Sequence, residues 1–512
     1  MKRMIAFALT LAVCLLAGCQ QAEKPGETTP VAAFSVGYGQ ESISPDHSVY
    51  LCGYNDPKEE RMSTMVAEAL YATCVAFSDE DGNTVILLSL DLLLANKTVV
   101  GIVQDQISKE TGVPVEQILY HTTHNHTGPD YSDPVYRQKV ISACSKAAKD
   151  AMADRKPAQM YTTYTRPEGI NTVRHYLLAD GTYMGEGLGA VATEMLVGHY
   201  GKADNLLQLV KFTREGAKDI VMINWQGHPR GPTPNPYTAA TSNYPGVMRT
   251  TVETGLDCHS IFILSGSGNV NNNSKIPGEV NYENYMELGK GLGQIAIDAA
   301  ASFAPAETGK ILFTKTGLDA MGNESPDGEV KLYAFSMGDL AFAAAPFEIF
   351  DTNAMAVRDN SKYKMTFYAS CTNAYYSYLP TPPSFAWEQH YEVRVTKYPE
   401  GTAENVEQAL IGLLDNIFAQ SGAAEKEKGE GYITPEFVPA SDGVEYMNLT
   451  PGDTTAYTEV KNGFYQLVMM PTGASTPKMM LAASEEVAKK VLEQTTTKLV
   501  FNEQNVIVDI AQ

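Results

Sequence analysis

Tyr120-His121-Thr122-Thr123-His124-Asn125-His126-Thr127-Gly128-Pro129 is the stretch on which the reading of this chain turns. It holds three of the nine histidines and follows an apolar run, Val115 to Leu119, that reads as a buried strand. A polar turn just past a buried strand is where α/β folds put chemistry rather than packing. Neutral imidazole is also the commonest nitrogen ligand of zinc and related metals. A single His-x-His pair is equally compatible with a hydrogen-bonded surface turn, so the rest of the chain has to decide.

Working outward, apolar β-rich runs alternate with helical patterns from about Ala33 to Gln420. Strands are expected at Thr84–Leu92, Gln117–Tyr120, Met160–Thr163, Leu206–Phe212, Ile220–Trp225, Ile261–Leu264, Val330–Phe335, Leu340–Ala345 and Met365–Ala369. Helices are expected at Thr98–Thr111, Pro134–Met152, Pro245–Gly255, Tyr282–Ser302 and Ala403–Ala419. Asp133 before Pro134 is a good helix start, because proline in the first turn loses no hydrogen bond. The alternation predicts an α/β fold with a mixed sheet over residues 32–420. Ser421 to Gly431 (SGAAEKEKGEG) reads as a linker. Residues 432–512 read as a small α+β domain, with strand-like runs at Phe464–Met470 and Lys498–Asp509 around a helical run at Ser484–Leu492.

Residues 1–18 read as a bacterial lipoprotein signal peptide, with Lys2 and Arg3 ahead of an apolar Ile5–Leu16 too short for a comfortable membrane span. Leu16-Ala17-Gly18-Cys19 resembles a lipobox, so a lipidated Cys19 would hold the mature chain at the membrane, in the cell envelope and outside the cytoplasm. Residues 19–31 would be its polar tether. The chain of 512 residues carries a formal charge of −22, which repels phosphate backbones and excludes nucleic acid as a natural partner. With Cys14 in the signal and Cys19 lipidated, Cys52, Cys74, Cys144, Cys258 and Cys371 remain, an odd and widely spaced set. That argues against a disulfide framework and against a thiolate zinc site.

Four more segments share one form, an apolar strand that stops at an unusual polar group. His228 ends Ile223-Asn224-Trp225-Gln226-Gly227-His228-Pro229, and Glu348 ends Ala343-Ala344-Ala345-Pro346-Phe347-Glu348. Tyrosines crowd Ser370-Cys371-Thr372-Asn373-Ala374-Tyr375-Tyr376-Ser377-Tyr378. Ile261-Phe262-Ile263-Leu264 runs into a Gly/Asn turn, Ser265 to Asn273, whose backbone can approach a ligand closely.

In this order the segments resemble the neutral/alkaline (non-lysosomal) ceramidase family over roughly residues 34 to 392. The family's Thr-His-Thr-His-Ser-Gly-Pro stands here as Thr123-His124-Asn125-His126-Thr127-Gly128-Pro129. Its Asn-Trp…His-Pro stands as Asn224-Trp225…His228-Pro229, and its Gly-Asp-Leu…Pro-x-Glu as Gly338-Asp339-Leu340…Pro346-Phe347-Glu348. Its tyrosine segment stands as Asn373-Ala374-Tyr375-Tyr376-Ser377-Tyr378, followed by Gln389-His390-Tyr391-Glu392. Val36-Gly37-Tyr38-Gly39 with Ile43-Ser44-Pro45 is similar to its opening. The resemblance implies a zinc ion held by His124, His228, Glu348 and Tyr378. Bound zinc lowers the pKa of water to about 7, so hydroxide is available at neutral pH. It also implies His126 in proton transfer, Arg174 at a substrate carbonyl or carboxylate, and Tyr391 donating to an oxyanion.

Two departures stand out. The family's Gly-Asp-x-Ser-Pro-Asn turn is Gly268-Asn269-Val270-Asn271-Asn272-Asn273 here, so Asn271 replaces the serine sometimes assigned as nucleophile. An amide is not a nucleophile of that kind, which leaves zinc-activated water as attacker and Asn271 at the substrate. The C-terminal segment is shorter and more mixed than the family's all-β second domain. The leading expectation is a zinc-dependent hydrolase of an amide or ester bond acting on a small-molecule or lipid substrate. A non-catalytic surface binding lipoprotein on the same fold, and a zinc esterase or lactonase, are the alternatives.

Overall fold

The computed structural model describes residues 33–54, 56–178, 183–185, 196–199, 202–276, 279, 282–318, 329–385, 391–426, 445–450, 452–459, 464–471, 478–502 and 506–511. The signal segment, Cys19, the tether, residues 427–431 of the linker, Gln389 and His390 lie outside the described residues.

The strands that build the site are, in chain order, β1 (Ser35–Ser42), β2 (Tyr71–Ser78), β3 (Thr84–Leu90), β4 (Ile118–Thr122), β5 (Lys156–Thr165), β6 (Leu207–Arg214), β7 (Ile220–Trp225), β8 (His259–Leu264), β9 (Ile311–Leu318), β10 (Val330–Met337), β11 (Leu340–Ala344) and β12 (Met365–Ala369). The helices packed on them are α1 (Lys97–Thr111), α2 (Pro134–Ala153), α3 (Asn243–Leu256), α4 (Tyr285–Ala299), α5 (Asp351–Asn360) and α6 (Thr402–Ser421). The expected mixed α/β fold is therefore present, and each expected strand and helix lies on one of these elements. Three strands of the sheets, β1 (SVGYGQES), β2 (YATCVAFS) and β9 (ILFTKTGL), carried no signal strong enough to be read in advance. In β2, alanines and a cysteine stand where β-branched residues would mark a strand.

The long sheet runs β8-β7-β6-β5-β1-β2-β3-β4, with Ala304–Ala306 added to β5. Its outer pairs, β7–β8 and β3–β4, are parallel and its inner pairs are antiparallel. A second sheet, β9-β10-β11-β12, lies over it. The period of two along each strand explains the layering. Val75, Phe77, Val85 and Leu87 meet Phe335, Phe342 and Phe367 of the second sheet. Their neighbours Cys74, Ala76, Ile86 and Leu88 point the other way, onto Val103 and Ile107 of α1 and Val140 and Ala147 of α2. β6, β7 and β8 bury Leu209, Ile223 and Phe262 under α3 and α4. The second sheet buries Ala334, Ala341 and Ala343 under α5 and α6. The result is four layers, helices outside and two sheets inside, and each large buried side chain contributes about 1.5–3 kcal/mol.

β8 and β4 are at opposite ends of the long sheet, yet the sheet twists until they meet. Ser89 Oγ on β3 donates to Phe262 O at 2.6 Å. Leu264 N donates to His121 Nε2 at 3.0 Å, while His121 Nδ1 lies 2.7 Å from Ser370 O, just past β12. Burial pushes the His121 imidazole down to about 3, so it remains neutral and serves as donor and acceptor at once. Of the three histidines in the opening motif, His121 is thus a structural tie between three strand ends.

The described C-terminal residues form a six-stranded sheet with one helix, Glu485–Leu492. The expected strand at Lys498–Asp509 divides into Thr496–Phe501 and Val506–Ile510, which pair antiparallel. Among the described residues, no helix is long and apolar enough to cross a membrane, and Cys52, Cys74, Cys144, Cys258 and Cys371 are free.

Gly37 and Gly39 of the opening motif let α2 lie directly on β1. A Cβ on Gly39 would overlap the Ala147 carbonyl, and one on Gly37 the Ala151 carbonyl. Backbone atoms cannot swing aside, so Gly39→Ala should destabilise the fold by roughly 1–3 kcal/mol, as expected for overpacking. Urea unfolding checks this: a midpoint unchanged from wild type would show that α2 does not sit as described.

Candidate metal centre

The loop after β4 is fixed before any metal is considered. Thr123 N donates to Leu90 O, Asn125 N to Leu92 O and His126 N to Pro229 O, at 2.9, 3.1 and 3.0 Å. The Asn125 side chain closes the loop on itself, donating to Asp91 O (3.1 Å) and Thr241 O (2.6 Å) and accepting from Thr127 N (3.0 Å). These contacts hold His124 at φ 61°, a left-handed conformation that costs a non-glycine residue on the order of 1–3 kcal/mol. Cys371, Asn373 and Ser377 also have positive φ, at 49°, 64° and 75°. Strain is concentrated where the β4 loop meets the segment after β12. The Asp91 carboxylate at the end of β3 is taken up by Arg249, at 2.6 Å, and by Tyr71 N, and so supports the loop from behind.

His228 follows β7, its N–H on Val270 O (3.1 Å) and its carbonyl held by Asn272 Nδ2 (3.1 Å). Glu348 follows β11, its N–H on Ser377 O, and pairs in parallel with Tyr378. Strand ends from both sheets thereby deliver their side chains to one point.

At that point the Nδ1 atoms of all three imidazoles face backbone carbonyls: His124 on Leu93 O (3.1 Å), His228 on Ser267 O (3.1 Å) and His126 on Gly53 O (2.7 Å). A carbonyl only accepts, so each Nδ1 carries the proton and each Nε2 of the neutral ring presents a lone pair. Those lone pairs face each other. His124 Nε2 is 3.1 Å from His228 Nε2 and 3.3 Å from His126 Nε2. Glu348 Oε2 lies 2.9 Å from His124 Nε2 and 3.4 Å from His228 Nε2, is buried, and has no hydrogen-bond partner. Acceptors packed this closely repel one another unless a cation lies between them. Donors about 2.0–2.1 Å from a tetrahedral zinc are separated by roughly 3.3 Å, and His124, His228 and Glu348 match that triangle. His126 joins it through His124 and is the most exposed of the four, at 9% against 2%, 2% and 1%.

Burial and the charge of Arg174 push the His228 imidazole well below its ordinary value of 6.5, and burial with its histidine neighbour does the same to His126. Burial pushes the Glu348 carboxyl up, but His124, Tyr375 and Tyr378 outweigh it and hold the group below the usual carboxylate range. The shifts of His126 and His228 favour the metal-binding protonation state.

Around the cluster, Tyr375 donates its hydroxyl to Glu348 Oε1, and Tyr378 lies beside Glu348 through the parallel pairing of their backbones. Tyr378 is therefore in contact with the donor set. Arg174 is held by Glu392, with Nε and Nη2 at 2.8 and 2.7 Å from Oε1, and its Nη2 also reaches Gly268 O at 2.6 Å. Its guanidinium lies 5.5 Å from the Tyr378 ring centroid. Tyr391 is half-buried and stands edge-on to Tyr378 at 5.7 Å. Asn271 is buried, and its backbone pairs with Thr172, two residues before Arg174.

The structure thus gathers His124, His126, His228 and Glu348, with Tyr378, Arg174 and Tyr391 in the adjoining shell and Asn271 on the turn behind. Sequence reasoning missed Tyr375, quoted but given no role, and Glu392 with its second partner His175 Nε2 at 3.1 Å. A lone carboxylate beside Tyr391 was the available signal, since a buried Glu needs a cation. A cavity of about 820 Å³ is lined by Leu94, Ala95, Ile102, Lys97, Arg137 and Tyr375 among others; Tyr375 is the link to the cluster, since none of the four donor residues lines the cavity.

No protein-family model matches this chain, and no curated protein matches it by sequence. Solved structures do match. The chain has the neutral ceramidase fold, a mixed α/β architecture. Neutral ceramidase from Pseudomonas aeruginosa superposes with a TM-score of 0.62 at 14% identity, over 86% of this chain and 84% of that one. A ceramidase complexed with C2 superposes with a TM-score of 0.63 at 13% identity, over 94% and 92%.

The protonation argument has a thermal consequence. In the unfolded chain His126 and His228 take up protons near pH 6.5, whereas in the folded chain they resist. The unfolded state then binds more protons, and stability falls as pH falls through that range. Glu348, held low, adds loss of the same sign further down. Chelator-treated protein should lose melting temperature steadily from pH 7.5 to 5, and zinc at pH 7.5 should raise it. A melting temperature indifferent to both zinc and pH would contradict the geometry.

Proposed function

We propose that this protein is a zinc-dependent hydrolase of an amide or ester bond, with an N-acyl lipid or related amide as the substrate class. One observation carries the reading: three imidazole lone pairs and an unpartnered Glu348 Oε2 are held within contact distance by backbone carbonyls that fix every tautomer. The likeness to solved ceramidase structures supports the choice of bond, and the cavity beside Tyr375 supports an acyl chain, being of ordinary ligand-pocket size and partly apolar.

His124, His228 and Glu348 would hold the ion, with Tyr378 alongside. Zinc bound there supplies a Lewis acid and a water acidified to a pKa of about 7. The remaining chemistry belongs to the chain. Tyr375 fixes the Glu348 carboxylate by its second oxygen, so that Oε2 keeps its direction. His126 stands on the solvent side of the cluster with a free Nε2 lone pair and takes the proton released when water attacks the carbonyl. Arg174, held by Glu392, and Tyr391, edge-on to Tyr378, would stabilise the oxyanion that develops. Asn271 offers an amide rather than a nucleophile, so water is the attacking group and no acyl-enzyme forms. Anchoring at Cys19 in a bacterial envelope would set this site against lipid substrates.

Several variants separate these roles. His124→Ala and His228→Ala should lose stoichiometric zinc, read by elemental analysis, together with hydrolysis of an N-acyl test substrate. His126→Ala should keep zinc and lose about 10²–10⁴-fold in kcat, the usual worth of a positioned acid–base group. A protein that binds no zinc, or hydrolysis that survives His124→Ala, would rule the proposal out.

A further inference from the structure

A buried polar junction lies behind the metal centre, and the hydrolase reading leaves it without a task. Asp351 opens α5 three residues past Glu348 and is 1% exposed. Its Oδ1 accepts from Asn269 Nδ2 and from Thr352 N, each at 2.8 Å, and its Oδ2 accepts from Asp204 N at 2.9 Å. Its own N–H donates back to Asn269 Oδ1 at 2.9 Å. Asn269 therefore both gives a hydrogen bond to Asp351 and takes one from it, which a carboxamide can do and a carboxylate cannot. Burial pushes the Asp351 carboxyl up to about 6, so at neutral pH it is the anion that its three donors suit.

Each arm of the junction ends on a segment that bears a site residue. Asn269 O accepts from Arg174 N at 2.8 Å, and the preceding Gly268 O accepts from Arg174 Nη2 at 2.6 Å. Two residues on, Asn271 pairs with Thr172. Asp204 O accepts from Asn171 Nδ2 at 2.5 Å and from Gln226 Nε2, two residues before His228. The Asp204 carboxylate is held by Arg358 Nη1 at 2.8 Å, two turns along α5 from Asp351. Between the turn and the Glu348 segment the contact is backbone on backbone. Gly268 N donates to Ile349 O at 2.9 Å, and a Cβ on Gly268 would come within 2.6 Å of Glu348 O. A buried carboxylate is a costly way to pack a helix end, since apolar groups of the same volume often serve stability as well. What it supplies here is register between four segments.

We propose that Asp351 is a positioning residue: its reciprocal pair with Asn269 keeps the carbonyl-binding side of the site, Arg174 and the Asn271 turn, in register with the metal side at Glu348. The proposal takes the roles of Arg174 and Asn271 from the hydrolase reading, whereas the alignment stands on the hydrogen bonds alone. An acid at position 269 would set two buried carboxylates face to face, and an amide at position 351 would leave one oxygen for three donors. Either change shifts the turn, and Arg174 moves with it.

Three variants of the full, zinc-loaded chain test this: Asp351→Asn, Asn269→Asp and the reversed pair that combines them. The reversed pair restores one carboxylate facing one amide. In each single variant, amide hydrogen exchange over residues 265–273 and 170–175 should quicken about 10-fold, the usual worth of one buried hydrogen bond, while residues 121–128 stay protected. Zinc should remain bound in full stoichiometry. On N-octanoyl-4-nitroanilide kcat should fall about 10²-fold with KM little changed, as for a displacement on the order of 1 Å. The reversed pair should recover part of both losses. Unaltered protection over residues 265–273, loosening that reaches residues 121–128 equally, or a reversed pair no better than either single variant would overturn the proposal. Should a single variant fail to fold, a folded reversed pair supports the pairing and an unfolded one contradicts it. If the wild-type chain leaves the anilide intact, the hydrolase reading fails there, and hydrogen exchange alone decides the alignment.

Discussion

One neutral imidazole joins the parts of this molecule on which the site depends. His121 accepts a hydrogen bond from the end of β8 and donates one to the segment after β12, while belonging itself to β4. β4 and β8 are terminal strands of the long sheet, so nothing in strand pairing alone obliges them to meet. The twist of the sheet brings them close, and His121 with Ser89 converts proximity into contact. Around that closure Asn373 bonds Tyr120 in both directions, N–H to carbonyl and Oδ1 from N–H, each at 2.8 Å. A charged ring at position 121 could not accept from Leu264, so the neutral imidazole that burial favours, pushed down to about 3, is the form this closure needs.

The closure has a direct chemical consequence. The His124–His126 loop leaves β4, His228 leaves β7 beside β8, and Glu348 leaves β11 beside β12. Joining those strand ends brings the donor atoms of His124, His228 and Glu348 around one point, with His126 beside them. Each is then aimed by a backbone carbonyl or by Tyr375, so orientation is settled before any ion arrives. Left-handed backbone at His124, Cys371, Asn373 and Ser377 is the local cost, offset by the buried layers beneath.

Much of this was legible in the amino-acid order. β3, β7 and β8 are almost wholly apolar and β-rich, so both the strands and the polar residues that stop them stood out. His124, His228 and Glu348 were visible because each ends such a run. The curl of the sheet was not visible, since it depends on accumulated twist over eight strands and on a histidine whose neighbours give no hint of a structural task. β1, β2 and β9 were hidden by small or polar residues that break the β-rich pattern. Glu392 was hidden for another reason: its partner Arg174 is 218 residues away, and long-range ion pairs leave no local pattern.

The central claim is that lone pairs of His124, His228 and Glu348 converge on one ion. X-ray absorption at the zinc edge of the purified, zinc-loaded protein tests it most directly. The account predicts one zinc per chain, with at least two imidazole nitrogens and oxygen donors at about 2.0–2.2 Å and no sulfur. A spectrum with sulfur ligation, or with an all-oxygen shell free of imidazole scattering, would contradict it.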